Sequence, residues 1–277
     1  MRQQLNKYSN LTQRIIAAII GAAIIISGMF YSAFTFWAVF LLISVFTQTE
    51  FYRLLGLNGN LPLSVYGTFC GVAINCLTFF IEKNYISFKY YYLILPLLTI
   101  TFFIKLFKRA DKRPFENLAY TFLGIIYVAM PFALVNEMVI EENTYHPWLM
   151  LGILIILWIN DSGAYFAGSF LGKRKLFERI SPKKTWEGFF GGAICSLAAA
   201  AVFSRFAPFL DLWHWLVIAT IVVVTGTLGD LVESLFKRSI AIKDSGSIIP
   251  GHGGFLDRFD GLLLSIPFIL TFLKILF

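Results

Sequence analysis

A chain of 277 residues in which 58% are hydrophobic and only 14% charged has too much apolar surface for a soluble globular fold. The formal net charge of +7 selects no partner by itself, because polytopic membrane proteins concentrate Lys and Arg in their inside loops anyway. Cys70, Cys76 and Cys195 lie in apolar segments with no CxxC pair or Cys/His cluster, so neither a disulfide framework nor a zinc site is supported.

Apolar runs of about 20 residues recur along the chain, the length a helix needs to cross the hydrocarbon core and too long for barrel strands. The expected fold is all-α, a polytopic integral membrane protein with about nine transmembrane helices. They are expected at about 15–30, 33–49, 63–81, 90–107, 118–140, 148–168, 188–206, 213–230 and 260–277. Arg2, Lys7 and Arg14 precede the first run, which is read as a retained span and not a cleaved signal. Tyr31-Ser32 requires a very tight reversal. Pro96, Pro131 and Pro267 fall inside spans and are expected to kink them. The glycine- and alanine-rich tract Gly188 to Phe206 is expected to pack closely on a neighbouring helix. The chain is divided into residues 1–147, about five spans acting as scaffold and lipid-facing surface, and residues 148–277, about four spans carrying the chemistry.

The charges orient this array. With the N-terminus in the cytoplasm, all of the 23 Lys and Arg residues except Lys83, Lys89, Arg205 and Lys274 fall on the inside. The loops at 169–187 and 231–259 then share the cytoplasmic side.

Three polar constellations remain. Asn160-Asp161-Ser162-Gly163-Ala164-Tyr165 lies in or at the end of a span, where an Asp is a functional candidate, with a paired structural carboxylate as the alternative. In Gly172–Gly188, the run Lys173-Arg174-Lys175 reads best as an orientation signal. Ser181-Pro182 resembles a helix cap and first turn, and Lys183 and Lys184 suit a phosphate. Trp186 is a base-stacking group or an interfacial anchor.

Leu228 to Asp260 is the densest stretch. Asp230, Glu233 and Lys237 share one helix face, Lys243-Asp244 and Pro250-Gly251-His252-Gly253-Gly254 form a loop, and Asp257 and Asp260 sit one turn apart. Carboxylates for a hard cation, bases for phosphate and glycines for backbone contact with anions point to phosphoryl or nucleotidyl transfer. Glu233 either joins the acids or pairs with Lys237, the second being preferred. His252 fits a metal ligand, a base or a phosphate contact.

Ser234-Leu235-Phe236-Lys237-Arg238, then Lys243-Asp244-Ser245-Gly246, then Pro250 to Asp260 resemble the signature of the phosphatidate cytidylyltransferases (CDP-diacylglycerol synthases). Asp161 to Tyr165 and Ser181 to Gly188 resemble that family's other motifs. The resemblance implies a membrane nucleotidyltransferase in phospholipid biosynthesis that condenses CTP with phosphatidic acid, releasing pyrophosphate, with Mg²⁺ required. It implies Asp230, Asp257 and Asp260 as metal and catalytic residues, with Lys237 and Lys243 also catalytic. Asp161, Ser181, Lys184, Arg238, Asp244, His252, Gly253, Gly254 and Arg258 are implied in substrate binding. Expected partners are CTP, phosphatidic acid, membrane lipids and a second copy in a homodimer, with no nucleic acid. The expected location is a bacterial inner membrane with the active site toward the cytoplasm. The alternatives are a CTP-dependent polyprenol or lipid kinase and, much further off, an ion-coupled transporter.

Overall fold

The computed structural model describes residues 2–109, 111–141, 143–242 and 253–276. Nine helices occupy them: α1 (Arg2–Tyr31), α2 (Ala33–Leu57), α3 (Ser64–Glu82), α4 (Phe88–Leu106), α5 (Pro114–Val139), α6 (Pro147–Leu171), α7 (Trp186–Phe203), α8 (Leu212–Ser239) and α9 (Leu256–Leu276). The seven from α2 to α8 are long and apolar enough to cross a membrane, whereas the apolar part of α1, Ile15–Tyr31, is shorter. The all-α polytopic architecture expected from the apolar runs is the one observed, and each expected span falls on one of these helices.

The reversal between α1 and α2 is a single residue, Ser32. Its Oγ accepts the Thr35 N–H at 3.1 Å while Thr35 Oγ1 accepts the Ser32 N–H at 3.0 Å, a reciprocal cap that satisfies two otherwise orphaned donors. A π turn over Ile125–Ala129 lies just before Pro131 in α5, shifting the hydrogen-bond ladder near the residue that has no N–H to give. A second π turn, Val222–Gly226, interrupts α8 immediately before its polar end.

The chain folds into two compact units, residues 1–145 with 240–258, and residues 146–239 with 259–277. In the first, Phe36, Phe40, Phe51, Tyr52, Phe79 and Phe132 are fully buried. The Tyr52 hydroxyl donates to the Thr121 carbonyl at 2.7 Å, and a Cβ at Gly67 or Gly124 would collide with the Tyr52 side chain. A buried polar group is thereby paired across α2, α3 and α5. In the second unit α7 lies against α6. A Cβ at Gly188 would stand 2.8 Å from the Ala164 carbonyl, and one at Gly192 2.8 Å from that of Asn160. The close packing expected of the Gly188–Phe206 tract is thus present.

Among the described residues there are also two short antiparallel hairpins, β1 (Ile140–Glu141) with β2 (Thr144–Tyr145), and β3 (Lys175–Phe177) with β4 (Ser181–Thr185). The second corrects the reading of Ser181-Pro182 as a helix start. Ser181 pairs with Phe177 in a two-stranded ribbon, where a proline needs no partner for its missing donor. The cap lies four residues on, where Thr185 Oγ1 accepts the Gly188 N–H at 3.2 Å.

Candidate active site

The polar end of α8 follows the π turn and carries Asp230, Glu233 and Lys237 along one face. Its approach to α9 is set by glycines. A Cβ at Gly229 would lie 2.6 Å from the Asp260 carbonyl, and one at Gly261 would lie 3.4 Å from Gly226 Cα. Two backbones in contact leave short reach between the side chains beside them. Farther along, Thr225 Oγ1 and Ser265 Oγ lie 2.8 Å apart and fix the pairing.

The consequence is an acidic cluster. One carboxylate oxygen from each of Asp230, Glu233 and Asp260 lies within 4.8 Å of the others. Glu233 is buried and Asp230 and Asp260 are half-buried. Three like charges this close repel unless cations stand among them. Lys184, at the end of β4, places Nζ 2.6 Å from Asp230 Oδ2, and Lys237 Nζ lies 2.7 Å from Glu233 Oε2. The Ser234 hydroxyl donates to Asp230 Oδ1 at 3.3 Å, and the Gly261 N–H to Asp260 Oδ1 at 2.6 Å. Asp161 and Lys184 are further charges whose fields reach Asp260. An all-oxygen donor set of this kind fits a hard divalent cation.

The hairpin that carries Lys184 is anchored to α7. The Glu187 carboxylate accepts the N–H groups of Lys173 and Arg174, its Oε2 lying 3.0 and 3.2 Å from them. Ser181 is half-buried on β4, Arg238 is exposed in the last turn of α8, and Trp186 is exposed with its ring stacked on Phe190.

Gly253, Gly254, Asp257 and Arg258 belong to the first unit. Gly253 has φ 85°, a left-handed conformation that side chains disfavour. The Gly254 N–H donates to Asp257 Oδ2 at 3.4 Å, and the Arg258 N–H closes the first turn of α9 on the Phe255 carbonyl at 3.0 Å. Lys243, Asp244 and His252 lie outside the described residues.

The arrangement brings together Lys184, Asp230, Lys237 and Asp260 from two separate motifs, and the charge of Asp161 acts on Asp260. It adds Glu233 to the acids while preserving the Lys237 ion pair, two roles treated in the sequence as alternatives. Glu50, which no motif singled out, accepts the Phe255 N–H through Oε2 at 2.7 Å. Its sequence signal was a lone acid closing an apolar run.

Fold and cluster together define a polytopic membrane protein with a candidate cation-binding carboxylate site where two helices meet. The chain belongs to the cytidylyltransferase family, whose model matches residues 12–276. Over 289 aligned residues it is 35% identical to the phosphatidate cytidylyltransferase of Haemophilus influenzae, covering 93% of this chain and 96% of that one. The Bacillus subtilis protein of the same name is 42% identical over 185 residues, 66% of each chain. That of Staphylococcus saprophyticus is 44% identical over 158 residues, which spans only 59% of its length and 57% of this chain. The resemblance first visible in the motifs is therefore a family membership.

Proposed function

We propose that this chain condenses CTP with phosphatidic acid, giving CDP-diacylglycerol and pyrophosphate. The observation that carries the reading is the carboxylate cluster of Asp230, Glu233 and Asp260 with Lys184 and Lys237 against it. A lipid phosphate oxygen attacks the α-phosphorus of CTP. The new P–O bond forms as the bond to the β-phosphate breaks, and the electron pair leaves with pyrophosphate. Phosphatidic acid is already an anionic nucleophile at neutral pH, so no side chain need act as a strong base. The barrier is the meeting of two polyanions, which positioning and fixed positive charge lower.

Asp230 and Asp260, with Glu233 beside them, are the residues that would hold Mg²⁺, and Asp257, one turn before Asp260 on α9, is the further carboxylate. When bound, Mg²⁺ supplies charge neutralisation at the phosphate oxygens. Lys184 and Lys237, paired to the acids, orient them and offset their repulsion. Arg238, Lys243 and Arg258 carry positive charge for the substrate phosphates, while Ser181, Asp244, His252, Gly253 and Gly254 complete the polar substrate site. Asp161 is assigned to binding the nucleotide.

Residues 148–277 are taken as the catalytic region and residues 1–147 as its scaffold. The chain is taken to cross a bacterial inner membrane nine times with its N-terminus in the cytoplasm, an orientation supported by the clustering of bases in the loops at 169–187 and 231–259, and to act as a homodimer.

Purified protein in lipid nanodiscs, given CTP, Mg²⁺ and either phosphatidic acid or a polyprenol, tests the reaction. Pyrophosphate and CDP-diacylglycerol made only with phosphatidic acid are expected. Release of CDP with phosphorylation of the alcohol identifies a lipid kinase, and ion flux without nucleotide turnover a transporter. Either result removes the proposed reaction.

A further inference from the structure

Glu50 is an acid that the reaction above does not use. It lies in α2 and is 1% exposed, a costly place for a carboxylate in an apolar helix. Its Oε2 accepts the Phe255 N–H at 2.7 Å, while Oε1 is buried without a hydrogen-bond partner among the described residues. A Cβ at Gly254 would collide with that Oε1. The carboxylate therefore fills the volume that any residue other than glycine would claim at position 254.

The same helix grips the next residue a second time. One turn before Glu50, the Phe46 ring stacks on Phe255 with centroids 5.2 Å apart and planes at 24°. Phe255 is thus held by its amide and by its ring. It is also the residue on which α9 begins, since its carbonyl receives the Arg258 N–H at 3.0 Å. Asp257 lies within this turn, with Oδ2 on the Gly254 N–H, and its charge and that of Arg53 act on Glu50. Among the described residues, Asp257 and Arg258 are each bonded to this turn, at the Gly254 N–H and the Phe255 carbonyl, and Glu50 touches both Gly254 and Phe255.

We propose that Glu50 is a positioning residue. By accepting the Phe255 N–H and occupying the side-chain space of Gly254, it sets the turn from which Asp257 and Arg258 are presented. What Asp257 and Arg258 then do rests on the proposed CTP–phosphatidate reaction; the clamp itself does not. The buried carboxylate supplies the acceptor oxygen that the Phe255 N–H needs in this turn. Its cost is tolerated where a displaced turn carries a larger penalty in rate, since misplacing a reacting group by about 1 Å can cost on the order of 100-fold.

The test compares Glu50→Ala, Glu50→Gln and Glu50→Asp with the wild-type protein in nanodiscs, by steady-state kinetics and by amide hydrogen exchange over residues 253–256. Glu50→Ala is expected to lower kcat by about 10- to 100-fold, to change KM for CTP by less than about threefold, and to speed exchange at Gly254 and Phe255. Glu50→Gln still offers an acceptor oxygen and is expected to stay within about threefold of the wild-type kcat. Glu50→Asp keeps the charge but withdraws it by one methylene. It is expected to lose rate, and it carries the test if the alanine variant does not fold. Wild-type kcat in Glu50→Ala with only a lower unfolding temperature overturns the proposal, as does a Gln variant as slow as the Ala variant with exchange unchanged. Exchange requires no turnover, so a wild-type protein that makes no CDP-diacylglycerol sinks the reaction while the exchange data still decide the clamp.

Discussion

Asp230 is held from two sides, by the Lys184 ammonium at 2.6 Å and the Ser234 hydroxyl at 3.3 Å. Replacing Lys184, on β4, with Ala removes the counter-charge and a 3.4 Å contact with the Thr227 carbonyl, and kcat is expected to fall by about 100- to 1,000-fold, the usual cost of one electrostatic contact in a reacting site. Asp257→Asn is expected to abolish turnover while the purified protein elutes and unfolds as the wild type does; an active Asn variant would remove that residue from the proposed metal set. A separate polar cluster concerns stability alone. The buried Lys105 pairs with Asp111 and donates to the Leu61 carbonyl at 2.7 Å, while Asn117 donates to Asp111 Oδ1 at 2.7 Å. Burial pushes the Asp111 carboxyl up, but hydrogen bonds from Lys105, the Arg113 N–H and Asn117 outweigh it and hold it below the ordinary carboxylate range. A lowered folded-state pKa stabilises fully above the unfolded value of about 3.9 and loses its effect as pH falls through the folded value. Asp111→Asn should therefore cost about 1–3 kcal/mol at pH 7 by thermal unfolding, and the gap from wild type should close below about pH 4. Lys184 was legible in the sequence because its motif is dense in bases. The double role of Glu233 was not, since an i,i+4 partner already accounted for it, and Glu50 was not, since its partner is 205 residues away.

At the scale of elements, the acidic cluster depends on how closely α8 can lie against α9. Gly229 faces the Asp260 carbonyl and Gly261 Cα, both backbone, so an added methyl has nothing flexible to push aside. Gly229→Ala is expected to separate the helices, reduce kcat by on the order of 100-fold and destabilise the protein by about 1–3 kcal/mol. Gly226→Ala is the control. Its Cβ would meet side-chain atoms alone, Leu157 Cδ1 at 3.2 Å and Ser265 Oγ at the ordinary contact distance of 3.8 Å, so activity should fall far less. Equal losses in the two variants would separate the site from the glycine contact. The glycines of α7 announced their packing because they stand in a run with alanine. Gly226 and Gly229 sit in a β-branched, apolar stretch that reads simply as membrane span. The β3–β4 hairpin escaped for a different reason: Ser181-Pro182 carries the residue chemistry of a helix start, and a two-stranded ribbon this short has no alternating apolar face to reveal it.

For the whole molecule, apolar run length is the strongest signal a membrane sequence carries, because a helix in lipid must satisfy its own backbone hydrogen bonds, and every expected span falls on a described helix. Membership in compact units did not follow from chain order. Residues 240–258 belong with the N-terminal unit, through contacts such as Glu50 to Phe255 that no local pattern encodes. Orientation rests on a third kind of information, the distribution of bases. Glu137 and Glu141 adjoin the hairpin after α5, and no Lys or Arg occurs between Arg113 and Lys173, whereas Lys173, Arg174, Lys175, Arg179, Lys183 and Lys184 crowd the loop after α6. Loops separated by one crossing thus differ by six positive charges, and bases are retained on the cytoplasmic face. With Cys70, Cys76 and Cys195 replaced by Ala, single cysteines at Glu178 and at Glu141 should react oppositely with a membrane-impermeant maleimide. Glu178→Cys should label only in inverted vesicles or after permeabilisation, and Glu141→Cys in intact spheroplasts. Labelling of Glu178→Cys from outside would place the Lys184 hairpin away from cytoplasmic CTP, and neither the reaction nor the orientation could then stand.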